Sequence, residues 1–97
     1  MKSIFAIFDR KTGSAELVKE ADNVQVFERW FASAFLRPSS LFGMYPEDFD
    51  IYEICSFDPE TLYVKVIDEH HPQLICSVSD LFDIFKIPRP TVAQSGE

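Results

Sequence analysis

Several groups of side chains have types and spacings that chemistry could use. His70-His71 beside Asp68-Glu69 resembles a metal cluster. Adjacent residues on an extended segment point in opposite directions and rarely share one ion, so this stretch reads as a solvated loop. Adding Cys55 and Cys76 would complete a two-Cys, two-His zinc set, but no Cys-x-x-Cys or His-x₃₋₅-His pair accompanies them. As a nucleophile, Cys55 sits between Ile54 and Ser56 with nothing nearby to lower its pKa. Cys76 lies near His70 and His71 in sequence, and a buried structural thiol is its ordinary reading as well. The carboxylates Glu47, Asp48, Asp50 and Glu53 could support acid–base or Mg²⁺ work. Asp50 and Glu53 are separated by an odd number of residues, so a regular strand sends them to opposite faces. They read as an acidic surface for protein contact. With no Gly-rich phosphate loop, Walker motif or Gly-x-Ser-x-Gly turn, the expectation is a non-enzymatic protein with no cofactor and no metal.

The basic side chains Lys2, Arg10, Lys11, Lys19, Arg29 and Arg37 all fall in the first half of the chain. With Phe5 and Phe8 interleaved, they are the candidate contacts for single-stranded DNA, which binds to cations and stacking aromatics. The alternative for the two rings is core packing. Net charge is −7, yet residues 1–46 carry six basic and five acidic side chains. Residues 47–69 carry eight acidic side chains against Lys65. Phosphate contact must therefore come from the first half or the tail, because the middle repels it.

These groups are positioned by a single α+β domain expected over residues 1–88, with a tail at 89–97. Ten Phe, three Tyr and one Trp in 97 residues supply a dense core for so short a chain. Residues 2–8 predict a strand that is apolar on both faces and therefore central. A turn at 9–13 leads to a short strand at 15–19. The spacing of Val24, Phe27, Trp30, Phe31, Ala34 and Phe35 predicts an amphipathic helix over about 23–36. Asp22 is its expected N-cap with Gln25 completing a capping box, and Glu28, Arg29, Ser33 and Arg37 lie off the stripe. The Pro-rich loop at 38–48 has room for a helical turn at 40–43. Strands at 49–57 and 62–67 form a hairpin around Asp58-Pro59-Glu60-Thr61. A charged loop at 68–72, a short strand at 73–77 and a helix at about 79–86, with Val78, Leu81, Phe82 and Phe85 inward, complete the chain. The result is a small antiparallel sheet of three to five strands with helices on one face. Its second face carries too many apolar residues for a wet surface. Either a partner or dimer covers it, or the helices wrap around the sheet edge.

Three blocks, SIFAIFDRKTG, VFERWFASAF and YPEDFDIYEICSFDPET, resemble the small nonstructural protein family of gokushovirus-type microviruses, which are single-stranded DNA bacteriophages. The third block is the specific one. Where the family has Gly shortly before its Phe-Asp pair and a Thr-Gly turn after it, this chain has Cys55-Ser56 and Thr61-Leu62, so its hairpin turn is expected to differ. The resemblance implies a nonstructural accessory protein of viral DNA replication, or of single-stranded DNA synthesis and packaging. It would work in the host bacterial cytoplasm through viral or host replication and packaging proteins, with weak single-stranded DNA binding; the expected homodimer comes from the apolar second face of the sheet and not from the resemblance. No catalytic residue is implied. The alternative is a pure protein-interaction module binding a host or viral factor through its acidic hairpin. No signal peptide is visible and no apolar stretch approaches the ~20 residues that span a bilayer, so no membrane association is expected and both thiols are expected reduced.

Overall fold

The computed structural model describes residues 1–66 and 71–89. Strands β1 (Lys2–Asp9) and β2 (Ser14–Ala21) form a hairpin, followed by helix α1 (Val24–Phe35) and a short helix α2 (Leu41–Met44). A 3-10 turn (Pro46–Asp48) leads into β3 (Phe49–Phe57), then β4 (Val64–Val66), β5 (Gln73–Ser77) and helix α3 (Val78–Ile84). The sheet runs β2-β1-β3-β4, with β5 also on β3, and every pairing is antiparallel. β4 takes the end of β3 (Cys55–Phe57) and β5 takes its beginning (Asp50–Glu53). The α+β architecture and the central position of β1 are as read from sequence, and β3 has the expected bounds.

The core lies between one sheet face and the helices. Phe5, Ile7, Phe49 and Ile51 point into it from β1 and β3, Phe27 and Phe31 from α1, and Val78, Leu81 and Phe82 from α3. Its rings form a continuous chain. Phe5 stacks on Phe27 at 4.7 Å between centroids, Phe27 on Phe31 at 6.0 Å, Phe31 meets Phe42 at 5.1 Å, and Phe42 meets Phe49 at 4.8 Å. Burial of each such ring contributes roughly 1.5–3 kcal/mol, and ring pairs add about 0.5–1.5 kcal/mol beyond area.

Several details differ from the sequence reading. The N-cap of α1 is Asn23, whose Oδ1 accepts from Val26 N at 2.9 Å, and not Asp22. Moving the cap by one residue places Val26, not Gln25, at the third helical position, so no capping box closes. Glu28 is buried rather than off the apolar stripe, because β5 packs beside that flank of α1. β2 extends over eight residues, longer than expected. The strand expected from 62 begins at Val64, since Leu62 takes a left-handed backbone (φ 69°) that ends the turn. Helix α3 starts at Val78, and Asp80 Oδ2 accepts from Ser77 N at 3.0 Å. Phe85 is the residue that ends α3 and is exposed rather than inward. Ile67 and most of the expected loop at 68–72 and tail at 89–97 lie outside the described residues.

Candidate interaction surface

The register decides which side chains occupy the face away from the helices. Phe5 and Ile7 point into the core, so Ile4, Ala6 and Phe8 of β1 point outward. Val18 and Tyr52 lie beside Ala6, Leu74 beside Tyr52, and Ala15 and Asp50 beside Phe8. Among the described residues the buried side chains of α1, α2 and α3 all belong to the core on the opposite face. Ala6 and Cys55 are buried yet lie outside the helix-side core, which shows that the face is partly shielded by its own neighbours. An open groove of about 530 Å³ crosses it, lined by Ala6, Phe8, Ala15, Tyr52, Ile54, His71 and Pro72. Phe8 and Tyr52 meet edge to face at 6.1 Å. Val18 is 57% exposed and Leu74 55%, large values for apolar side chains that neighbour a groove.

Charges bracket this face. At one end Arg10 lies 3.5 Å from Asp50 Oδ1. At the other, Lys2 lies 3.5 Å from Glu20, and Lys19, opposite Phe5 in the register, reaches Glu20 from the helix side at 3.3 Å. Both lysines, Lys19 first, hold the Glu20 carboxyl below its ordinary range. Lys19 also lies over the Trp30 ring, 5.1 Å from its centroid. Lys2, Lys19, Glu20 and Trp30 line a groove of about 210 Å³ between the sheet and α1.

The six expected DNA-contacting cations therefore do not form one patch. Lys2 and Lys19 come together. Arg10 and Lys11 sit in the β1–β2 turn, with Arg10 about 16 Å from Lys19 and about 26 Å from Lys2 along the strands at ~3.3 Å per residue. Arg29 is exposed on α1 beside Gln25 and Phe85, and Arg37 is exposed just past the end of α1. Of the four expected acidic contacts, Asp48 and Asp50 come together at Arg10, while Glu47 and Glu53 face elsewhere. Glu47 lies 3.7 Å from Arg89, Asp48 accepts from Arg10 N through its carbonyl at 3.0 Å, Asp50 pairs with Arg10, and Glu53 stands beside Phe5. Arg89, which the sequence reading placed at the start of the tail, bonds Ser79 and Asp83 and lies over Phe82. Its position shortly after Pro88 carried no signal of this.

Neither thiol is set up as a nucleophile. Burial pushes the Cys76 thiol up to about 12, reinforced by the Glu28 carboxylate beside it. Among the described residues no group of His, Cys, Asp and Glu is arranged to hold a metal ion; His70 lies outside them. No helix among the described residues is long and apolar enough to cross a membrane. Residues 2–81 match a protein family described as Phage ORF5 protein. No curated protein and no solved structure matches the chain.

Proposed function

The chain belongs to the Phage ORF5 protein family, and from that premise we propose a non-enzymatic accessory role in viral DNA replication or in single-stranded DNA synthesis and packaging. The protein works in the host cytoplasm, in a gokushovirus-type phage, mainly through protein contacts. The observation that carries this reading is the open apolar face centred on Phe8 and Tyr52. An uncovered apolar patch of this kind marks an interaction surface. Single-stranded DNA is a weaker, second contact at Lys2, Lys19 and Trp30. Those ammonium groups already face Glu20, and a −7 chain repels phosphate. Of the acidic residues expected to act together, Glu47 and Asp50 already face Arg89 and Arg10, so the protein contact is assigned to the sheet face instead.

The test has two arms. Tagged protein is used to capture phage-encoded replication and packaging proteins from infected cells, with Val18→Glu and Ile54→Glu as altered baits. Capture by the native chain that fails with both variants supports the reading; equal capture by all three removes it. Fluorescence anisotropy with a labelled single-stranded oligonucleotide at low salt tests the second contact. Binding that weakens steeply with salt supports it, and no binding at high micromolar protein eliminates it.

A further inference from the structure

We infer that the β3–β4 hairpin is a docking arm whose exposed Leu62, Tyr63, Val64 and Val66 seat in an apolar groove of a second protein, rimmed by lysine or arginine side chains. This contact is separate from the sheet groove around Phe8 and Tyr52.

The register carries the hairpin beyond the body of the sheet. β1 begins at Lys2, opposite Phe57, so the turn from Asp58 to Tyr63 lies past the start of that strand. Among the described residues, β4 pairs with Cys55, Ser56 and Phe57 of β3 and with no other strand. Lys2 and Phe8 are about 20 Å apart at ~3.3 Å per residue, which separates the arm from the sheet groove. A two-stranded ribbon is at best marginally stable in water without further packing. Here the apolar side chains gain little from folding: Leu62 is 72% exposed, Tyr63 79%, Val64 64% and Val66 55%. Val64 and Val66 stand beside Phe57 and Cys55 on one side of the ribbon. Leu62 adds strain to exposure, because its φ of 69° is one that a side chain disfavours. A bulky apolar residue held strained and bare at a turn is accounted for when a partner buries it.

Charge selects the partner. The turn carries Asp58 and Glu60 and no basic residue. Glu60 is exposed and pairs with no cation among the described residues. The Glu60 backbone N–H, donating to Asp58 Oδ1 at 2.8 Å, is the first cause that holds the Asp58 carboxyl below its ordinary range. The chain's terminal ammonium is the smallest cause. Lys65 alternates to the side of the ribbon away from Val64 and Val66. Lys2, at the base of the arm, already meets Glu20. Carboxylates beside an apolar tip repel the phosphates of a nucleic acid or an anionic lipid surface, and they repel the same arm of a second copy. A cationic protein rim attracts them, while an apolar floor takes Leu62 and the Tyr63 ring, the kind of aromatic anchor that dominates protein contacts.

Photo-cross-linking in phage-infected bacteria tests the arm. Tyr63→p-benzoylphenylalanine puts a photoreactive ring in place of an exposed one, and mass spectrometry sequences the adducts. Adducts on another protein, at apolar residues flanked by lysine or arginine, are expected. Adducts on this chain alone, on nucleic acid or lipid alone, on a surface without basic residues, or no adducts at all, overturn the inference. The protein so identified is then purified and titrated. Leu62→Gly is expected to weaken binding at least about tenfold while raising the urea midpoint, which separates lost contact from lost folding. Glu60→Gln is expected to weaken it about two- to threefold at low salt, an effect that fades as salt is added. Affinity unchanged in either variant overturns the arm. Tyr63 adducts that persist when capture proves indifferent to the sheet-face variants leave the arm and remove the proposed contact at the sheet face. Capture that depends on Val18 without Tyr63 adducts does the reverse.

Discussion

Cys76 Sγ lies 3.6 Å from Glu28 Oε2, a thiol donating to a carboxylate across the seam between β5 and α1. Burial raises the Glu28 pKa above its ordinary value of 4.5, and the thiol hydrogen bond offsets only part of that. A carboxyl whose folded pKa is raised contributes stability below its unfolded pKa and loses it as pH rises through the folded value. Glu28→Gln, which keeps the acceptor and removes the charge, is therefore expected to be more stable than the native chain at pH 7. The advantage shrinks below pH 4.5, where the native carboxyl is protonated in both states. Urea unfolding at pH 4 and pH 7 checks this; an advantage equal at both values would show that the charge is not the cause.

Burial first, and the Glu28 carboxylate second, make Cys76 inert. With its thiol pushed up to about 12, only about one molecule in ten thousand is thiolate at pH 8. Cys55 is shielded on the other sheet face. Iodoacetamide at pH 8 is expected to label both thiols in urea. In the native chain it should label neither at better than about one hundredth of that rate. Rapid labelling of Cys76 in the folded state would contradict the placement of β5 against α1.

What sequence reading recovered is what single elements decide locally. The run FDIYEICSF is long and apolar enough to define β3 at Phe49–Phe57, and the 3.6-residue spacing of Phe27, Trp30, Phe31 and Phe35 defines α1. What it missed depends on partners distant in the chain. The burial of Glu28 follows from Cys76, 48 residues away. The composition of the open face depends on bulges. The pairings skip Glu16 in β2, Ile54 in β3 and Ile75 in β5, and each skip changes which residues share a face. A bulge is a property of a strand pair, so alternation within one strand does not reveal it.

Leu62 takes a left-handed backbone, with φ 69°. The β3–β4 turn thus carries backbone strain at a residue with a side chain. Leu62 N still donates to the Asp58 carbonyl at 2.7 Å, and Asp58 N to the Tyr63 carbonyl at 3.0 Å. The left-handed conformation costs a side-chain-bearing residue about 1–2 kcal/mol, against about 0.5–1 kcal/mol for the added freedom of unfolded Gly. Leu62 is 72% exposed, so little burial is lost on replacement. Leu62→Gly is expected to stabilise the chain by about 0.5–1 kcal/mol, read as a higher urea midpoint with slower amide exchange at Val64 and Val66. Lys86 (φ 56°), the residue after the Phe85 cap of α3, takes the same conformation, with Ile87 N donating to the Phe82 carbonyl at 2.8 Å. Lys86→Gly should act in the same direction.

Gly43 is required for a different reason. A Cβ there would fall onto the backbone carbonyl of Arg37, because α2 folds back against the end of α1. Ser40 holds that turn: its Oγ accepts from Gly43 N at 2.9 Å and donates to the Phe35 carbonyl. Gly43→Ala must displace backbone on both sides and disturb the seating of Phe42 between Phe31 and Phe49. A loss of about 2–4 kcal/mol is expected, which lowers Tm by roughly 10 °C or more in a domain of this size. A scanning-calorimetry shift of only a degree or two would mean that the α1–α2 junction yields easily.

Glu20 sits between the two ammonium groups that any DNA contact in the Trp30 groove would need. In Glu20→Gln both lysines lose their carboxylate partner, and a phosphate would no longer compete with it. Removing one unit of negative charge about 5–6 Å from a bound phosphate, in water-exposed surroundings, is expected to tighten single-stranded DNA binding about threefold at low salt. The gain should fade as salt screens the site. Stacking of a base near Trp30 would also quench its fluorescence, and as the chain contains one Trp, the signal reports this groove alone. If Glu20→Gln changes neither affinity nor Trp30 emission on oligonucleotide addition, then DNA does not enter the groove, and contact with other macromolecules falls to the sheet face.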